Sequence, residues 1–451
     1  MPYLLVPNEV RSTEALLWVG IINEPELAEL SGLRLFLNGM ETPIPAAWNT
    51  YSTASGLNTI HYQFFNVVTL NSRTNYILEL FRNNDLVATG NVRTLPEALP
   101  FIGADKPFTI LLSSCFSSSK SDSGRIGNTY LGLRDQDKSD IKFLCGDQVY
   151  LDDPALHFTF NVHTRNELED ILFANYARTW TQTGFMTGNR QFLQDGANFF
   201  TADDHEFWNN APNRATLIPD TFFEERRDDW REIASNLLQV FQTAKSVTRF
   251  DVSPVSFFLA DTRVNRGPGT NDFMSAVDLN ELENWVNNLT GLGVLVIGQP
   301  IFGPKAGFFS SRFVDKNLAN YEQYKDLVRI LSATTHSIVL LTGDVHYGRI
   351  ASCHINEDVF LYEIISSPSA LVDKAVGGKW VPPPELFPAF DIENVVNRRI
   401  KPDFNLMVSG NHFLTLAFFQ DGGHTRLSVK AIEMTNSGQA PLPREVADLI
   451  F

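Results

Sequence analysis

Cysteine, positive charge and long apolar runs are all scarce in this chain, and each scarcity removes a class of protein. Three cysteines in 451 residues, Cys115, Cys145 and Cys353, cannot build a disulfide framework. Lys and Arg number 36 against 52 Asp and Glu, a formal net charge of −16. A general nucleic-acid surface needs a basic face, and this balance argues against one. The same charge repels anions, so a phosphate-like ligand would need local cations, either metal ions or arginines. No run of about 18 apolar residues is present to span a membrane. The opening Met-Pro-Tyr-Leu-Leu-Val-Pro-Asn-Glu lacks the basic start and apolar core of a signal peptide. As written, the chain is expected to be cytoplasmic, or periplasmic or secreted if an export signal was removed. Motifs of rival chemistries are missing too. There is no Gly-x-x-x-x-Gly-Lys-Ser/Thr phosphate loop, no Gly-x-Gly-x-x-Gly after a strand and no Gly-x-Ser-x-Gly elbow.

What is present is an ordinary globular composition, 43% apolar and 20% charged, in a chain too long for one typical core. Residues 1–98 read as all-β. Leu16–Ile21, Leu33–Asn38, Tyr62–Leu70 and Asn75–Phe81 are strand candidates, and Arg82-Asn83-Asn84-Asp85 turns the chain into Leu86–Val92. An immunoglobulin- or fibronectin-like sandwich with a structural or docking role is expected. Thr94–Pro100 reads as the linker to a second domain, residues 101–451. There strands alternate with helices, the α/β pattern. Asn166–Thr181, Phe222–Ala244, a helix capped by Asp278 and Tyr321–Ser332 show apolar stripes at helical spacing. Val359–Ile365 and Phe413–Phe419 read as late strands, and the Gly- and Pro-rich Lys374–Pro388 as a long loop overhanging a site.

The chemistry gathers where apolar runs stop. Lys142–Cys145 ends in Gly146-Asp147, with Tyr150 three positions on. Phe108–Leu112 leads into Ser114-Cys115. Ala197–Thr201 leads into Asp203-Asp204-His205-Glu206 and then Asn209-Asn210. Ser256–Ala260 leads into Asp261-Thr262-Arg263, and Ser337–Leu341 into Gly343-Asp344-Val345-His346. In open α/β sheets ligands bind beyond the carboxyl ends of the strands. Several anionic groups crowded there repel one another unless cations neutralise them. Thiolate and phenolate together favour ferric iron, while a carboxylate-rich second position suits calcium, manganese or zinc. Asp147 is the candidate bridge between two ions. His205 reads as a general acid, and Arg263, ahead of Arg266, as the grip on a phosphate oxygen. Tandem Asp152-Asp153 reads as a solvated turn.

At these residues the chain resembles the alkaline phosphatase D (PhoD-type) family of calcineurin-like metallophosphoesterases. The matching pieces, in order, are Ser114-Cys115, Gly146-Asp147-Gln148-Val149-Tyr150, Asp203-Asp204-His205-Glu206 with Asn209-Asn210, Asp261-Thr262-Arg263 and Gly343-Asp344-Val345-His346. The resemblance implies two mixed β-sheets packed face to face with flanking helices. It further implies hydrolysis of phosphomonoesters or phosphodiesters, with ferric iron and one or two calcium ions and a small phosphorylated substrate. Cys115, Asp147, Tyr150 and His346 would hold the iron. Asp147, Asp344 and an oxygen of Asp204 or Asn210 would hold the second metal. A water activated by iron would attack phosphorus in line, with Arg263 on the phosphate and His205 assisting the leaving oxygen. Phe116 stands where the family has Gln, and Gln299 lies near where broader relatives place a further ligand histidine. Two other readings of the residues are a calcium-stabilised adhesion or scaffold protein, and a hydrolase using Cys115 as nucleophile.

Overall fold

The computed structural model describes residues 3–23, 32–103, 106–119, 124–153, 158–159, 161–183, 188–242, 245–267, 269, 271–305, 316–371, 380–408, 410–435 and 439–451, without the side chains of 403–405 and 407. Among these residues the strands form four sheets.

Two antiparallel four-stranded sheets make the N-terminal sandwich. One runs in the order Tyr3–Val10, Glu14–Ile22, Thr59–Val68, Asn49–Ser52, the other Met40–Thr42, Leu33–Leu37, Asn75–Arg82, Asp85–Arg93. The hairpin expected at Arg82–Asp85 is present, with Asn83 at φ 57° in its turn. Leu5, Leu17 and Val19 of one sheet meet Leu35, Leu78 and Leu80 of the other in a common core. The first sheet is also covered outside, where Leu4, Val6, Trp18 and Ile60 pack among helical residues Phe173, Tyr176 and Phe241. Trp18 Nε1 donates to the carbonyl of Val240 at 2.8 Å.

The remainder is built on two mixed sheets. Six strands run in the order Ala197–Thr201, Ile141–Cys145, Phe108–Ser113, His412–Asp421, His424–Glu433, Arg444–Ile450. Eight run Val247–Val252, Val255–Ala260, Gly293–Val296, Ile338–Thr342, Phe360–Ile365, Gly348–His354, Arg398–Val408, Leu386–Phe387. Side chains alternate across a strand, so each sheet offers two faces. Phe143 and Phe199 of the first sheet and Phe257 and Val339 of the second share the core between the sheets. Leu111, Leu144 and Phe200 face helices Arg165–Thr181 and Glu224–Phe241. Phe258, Leu295 and Leu340 face helices Ala276–Asn287 and Tyr324–Ser332. The layers are therefore helix, sheet, sheet, helix.

Two local readings change. The helix at Ala276 is capped by Ser275, whose Oγ accepts the N–H of Asp278; Asp278 sits inside the first turn. Of the loop expected over 374–388, residues up to 379 lie outside the described residues, while Leu386–Phe387 pairs as a short strand.

Candidate metal centre

Strands 108–113, 141–145 and 197–201 run parallel, so their carboxyl ends share one edge. Strands 255–260, 293–296, 338–342 and 360–365 do the same in the other sheet. The two edges meet, and the polar residues that end each run meet with them. Gly146 makes the turn after its strand at φ 80°, and a Cβ there would lie 2.5 Å from Asp203 Cβ. Gly343 is required for close approach, since a Cβ would come within 2.5 Å of Ser114 Oγ and 2.6 Å of the carbonyl of Cys145.

Three groups of ligand atoms each lie within 4.8 Å of one another: Cys115, Asp147 and His346; Asp147, Asp204 and His205; and Asp147, Asp203, Asp204 and Asp344. Asp147 belongs to all three. Cys115 Sγ lies 3.3 Å from Asp147 Oδ2, and Tyr150 donates its hydroxyl to the same oxygen at 3.3 Å. The N–H of Asn210 donates to Asp204 Oδ2 at 2.6 Å. The structure thus brings Cys115, Asp147, Tyr150, Asp204, Asn210, Asp344 and His346 to one place. Five of them have positive φ: Cys115 56°, Asp147 56°, Asn210 68°, Asp344 70° and His346 61°. Residues other than glycine rarely adopt this region, and strain of this kind gathers at functional sites.

The electrostatics suit a bound cation. Burial, then Asp147 and Asp344, push the Cys115 thiol well above its ordinary pKa. Burial, then Asp147 and Cys115, do the same to the Tyr150 phenol. Without positive charge neither group ionises beside these carboxylates. Burial lowers His346 to about 4, leaving a neutral imidazole free to coordinate. Asp203 Oδ2 and Asn210 Oδ1 are buried without a hydrogen-bond partner among the described residues, an arrangement that a metal ion would satisfy. The donor set therefore fits a dinuclear site with a thiolate-phenolate half and an oxygen-rich half.

His205 lies in this cluster with its ring stacked on Tyr150, centroids 4.1 Å apart. Its Nδ1 pairs with Asp152 Oδ1 at 2.7 Å. Burial alone would lower its pKa, but Asp152, Asp204 and Asp147 outweigh burial and hold it well above the usual imidazole value. Asp152 is consequently no solvated turn. It is buried and also accepts the N–H of Asn209 at 2.9 Å.

Arg263, expected as the grip on phosphate, is buried beside Asp203. Its side chain is fully enclosed, and its Nε and Nη2 both donate to Asp203 Oδ1, the former at 2.7 Å. Its Nη1 donates to the carbonyl of Ala211 at 2.6 Å. Breaking a buried pair of this kind typically costs about 3–5 kcal/mol. The guanidinium holds Asp203. Cys115 is likewise unsuited to act as a nucleophile: its thiol is buried, accepts from Ser367 Oγ at 3.1 Å and abuts a carboxylate.

Several residues to which the sequence assigns no settled role support the site. Glu206 accepts the N–H groups of Asp147 at 2.8 Å, Gln148 at 2.5 Å and Asp203 at 2.8 Å, fixing two ligand loops together. Gln299 donates to Asp344 Oδ2 at 3.2 Å and accepts from Arg266 Nη2 at 3.0 Å, so it links a buried cation to a ligand carboxylate. Ser367 bonds both Cys115 Sγ and the N–H of His346. Its signal was available, since the apolar strand Phe360–Ile365 also stops abruptly, in Ser366-Ser367.

No protein-family model matches the chain, and no curated protein matches it. Solved structures do. A structure titled "Structure of PhoD" matches with TM-score 0.63 and 15% identity, covering 99% of this chain and 89% of its own. Purple acid phosphatase PPD1 from yellow lupin (Lupinus luteus) seeds matches with TM-score 0.55 and 11% identity, covering 98% of this chain and 74% of its own. The chain shares the fold of PhoD and of this purple acid phosphatase, from the antiparallel N-terminal region through both mixed sheets.

Proposed function

We propose that the protein is a metal-dependent hydrolase of phosphate esters. The observation that carries this reading is the convergence of seven candidate ligand residues, Asp147 among them, from separate strand ends, five of them at positive φ. The fold shared with two known structures, one of them titled a phosphatase, supports it. Cys115, Asp147, Tyr150 and His346 would hold ferric iron. Asp147, Asp344 and an oxygen of Asp204 or Asn210 would hold calcium, with manganese or zinc as alternatives. Bound there, such ions would supply an activated water and neutralise the phosphate's charge.

The chain's own residues supply the rest. Asp152 takes Nδ1 of His205, leaving Nε2 to carry the proton that passes to the departing alcohol oxygen. Tyr150 fixes the ring plane by stacking. Glu206, Ser367 and Gln299 hold the ligand loops so that little rearrangement is needed when substrate arrives. Arg263 keeps Asp203 oriented at the edge of the site.

The test is elemental analysis and a visible spectrum of the full chain, followed by turnover of nitrophenyl phosphate and bis-nitrophenyl phosphate with defined metals. Iron bound by thiolate or phenolate should give a coloured protein, and chelation should abolish turnover. A colourless protein that hydrolyses neither ester after metal loading overturns the reading.

A further inference from the structure

The sulfur of Cys115 is fully enclosed, and the polar groups around it fall into two kinds. Two are acceptors, Asp147 Oδ2 at 3.3 Å and the carbonyl of Asp344 at 3.4 Å. Two are hydroxyls, Ser367 Oγ at 3.1 Å and Ser114 Oγ at 3.5 Å. A hydroxyl carries a single hydrogen, so its other bonds decide whether it can donate to the sulfur. Ser114 donates to the carbonyl of Ser366 at 2.9 Å, the shorter of its two contacts. Ser367 is the reverse case. Its oxygen accepts the N–H of His346 at 2.9 Å, which leaves its hydrogen for Cys115 Sγ.

The backbone holds Ser367 in this position. Strand Phe360–Ile365 runs parallel to Ile338–Thr342, with Ile365 level with Thr342, so both chains leave the sheet side by side. Beyond it, the N–H of Ser369 donates to the carbonyl of Ser114 at 2.9 Å, and that of Ala370 to the carbonyl of Cys115 at 3.2 Å. Ser366, Ser367, Ser114 and Cys115 are all buried, so no water competes for the hydroxyl.

We infer that Ser367 is a positioning residue that tunes the Cys115 thiolate: its hydroxyl donates to the sulfur once a metal ion stands in place of the thiol proton, and so draws charge away from the sulfur–metal bond. The inference rests on the phosphoester reading above and deepens its thiolate–iron half. Hydrogen bonds to a coordinating sulfur are among the levers that set the potential of iron and copper centres. A sulfur that gives up less charge leaves the ion a stronger Lewis acid toward a phosphate oxygen.

The test uses the iron-loaded full chain, with the sulfur-to-iron absorption band assigned by its resonance-enhanced iron–sulfur stretch. In Ser367→Ala that band should move to longer wavelength and the midpoint potential of the iron should fall. Ser114→Ala deletes a hydroxyl beside the same sulfur and should move neither, which separates hydrogen bonding from packing. A third arm needs no variant. The native metal-free chain, exchanged into D2O before iron is added, should show a shifted iron–sulfur stretch. An unmoved band and potential in Ser367→Ala, equal shifts in the two variants, or a stretch indifferent to deuterium overturns the inference while leaving phosphoester hydrolysis standing. Iron bound without any iron–sulfur stretch does the same. A chain that takes up no metal and turns over no ester would sink the phosphoester reading, and this inference with it.

Discussion

The sandwich and the metal centre both place non-glycine residues at positive φ, but they do so for different reasons. In the sandwich these are Asn23, Asn38, Thr69, Arg73 and Asn83, all exposed and all at turns. Three of the five are asparagine, which tolerates the left-handed region because its short amide bonds locally. In the centre they are Cys115, Asp147, Asn210, Asp344 and His346, and the first three are buried. All but Cys115 are again types that tolerate this region. What differs is what the side chains do there: in the sandwich they face solvent, whereas in the centre they converge on one another. The sandwich uses the conformation to turn the chain, the centre to bring side chains together.

The comparison breaks first at the residues on which the centre depends. Asp147→Asn and His346→Ala should each lower turnover by about 10³-fold or more, the scale of losing charge stabilisation in the transition state. Iron content should fall with activity while the sandwich stays folded, read by metal analysis and circular dichroism. Full turnover in either variant would remove Asp147 or His346 from the centre. A smaller loss, about 10²–10³-fold, is expected for His205→Gln, within the range for a positioned general acid. Metal content should be unchanged there. Because Asp152 raises the pKa of His205, Asp152→Asn should move the alkaline limb of the pH–rate profile to lower pH. An unmoved limb would show that the proton comes from elsewhere.

The centre was legible because parallel strands buried on both faces read as short apolar runs, and each run stops abruptly in polar residues. Ala197–Thr201 matches its expected bounds, and Phe108–Ser113 and Ile141–Cys145 differ by one residue. Side-chain direction was not legible. Arg263 and Asp152 have the residue types of a phosphate grip and a solvated turn, and only packing reveals that one holds Asp203 and the other His205. Tyr3–Val10 was passed over because burial on both faces removes alternation, and Pro7 interrupts the run. In the helix Arg165–Thr181, Phe173, Asn175 and Trp180 are buried beyond the expected stripe, because Glu224–Phe241 and the sandwich cover it from two sides. His424–Glu433 did carry a signal: Thr425, Leu427, Val429 and Ala431 alternate with Arg426, Ser428 and Lys430.

The contrast sharpens further in residues that never touch an ion. Gln299→Leu removes the link between Arg266 and Asp344 but keeps a side chain of similar size. Affinity for the second metal should fall about 10–100-fold, the usual effect of losing a partner of a ligand. Calorimetric titration of calcium into the iron-loaded protein measures it, and the visible spectrum of the iron should not move. Equal damage to both metals would reduce Gln299 to general scaffolding. The smallest effect is in the backbone itself. A residue with a Cβ at φ near 60° is disfavoured by about 1–2 kcal/mol relative to the right-handed region, whereas glycine is not. In the chelated protein His346→Gly should therefore be more stable than His346→Ala by about 1 kcal/mol. Asn83→Gly should shift stability by only a few tenths of a kcal/mol, since asparagine already accommodates its turn. Thermal unfolding of the variants decides the matter. Coincident melting of the two His346 variants would mean that the turn bears no strain without metal, and the distinction between the two regions would then rest on side-chain chemistry alone.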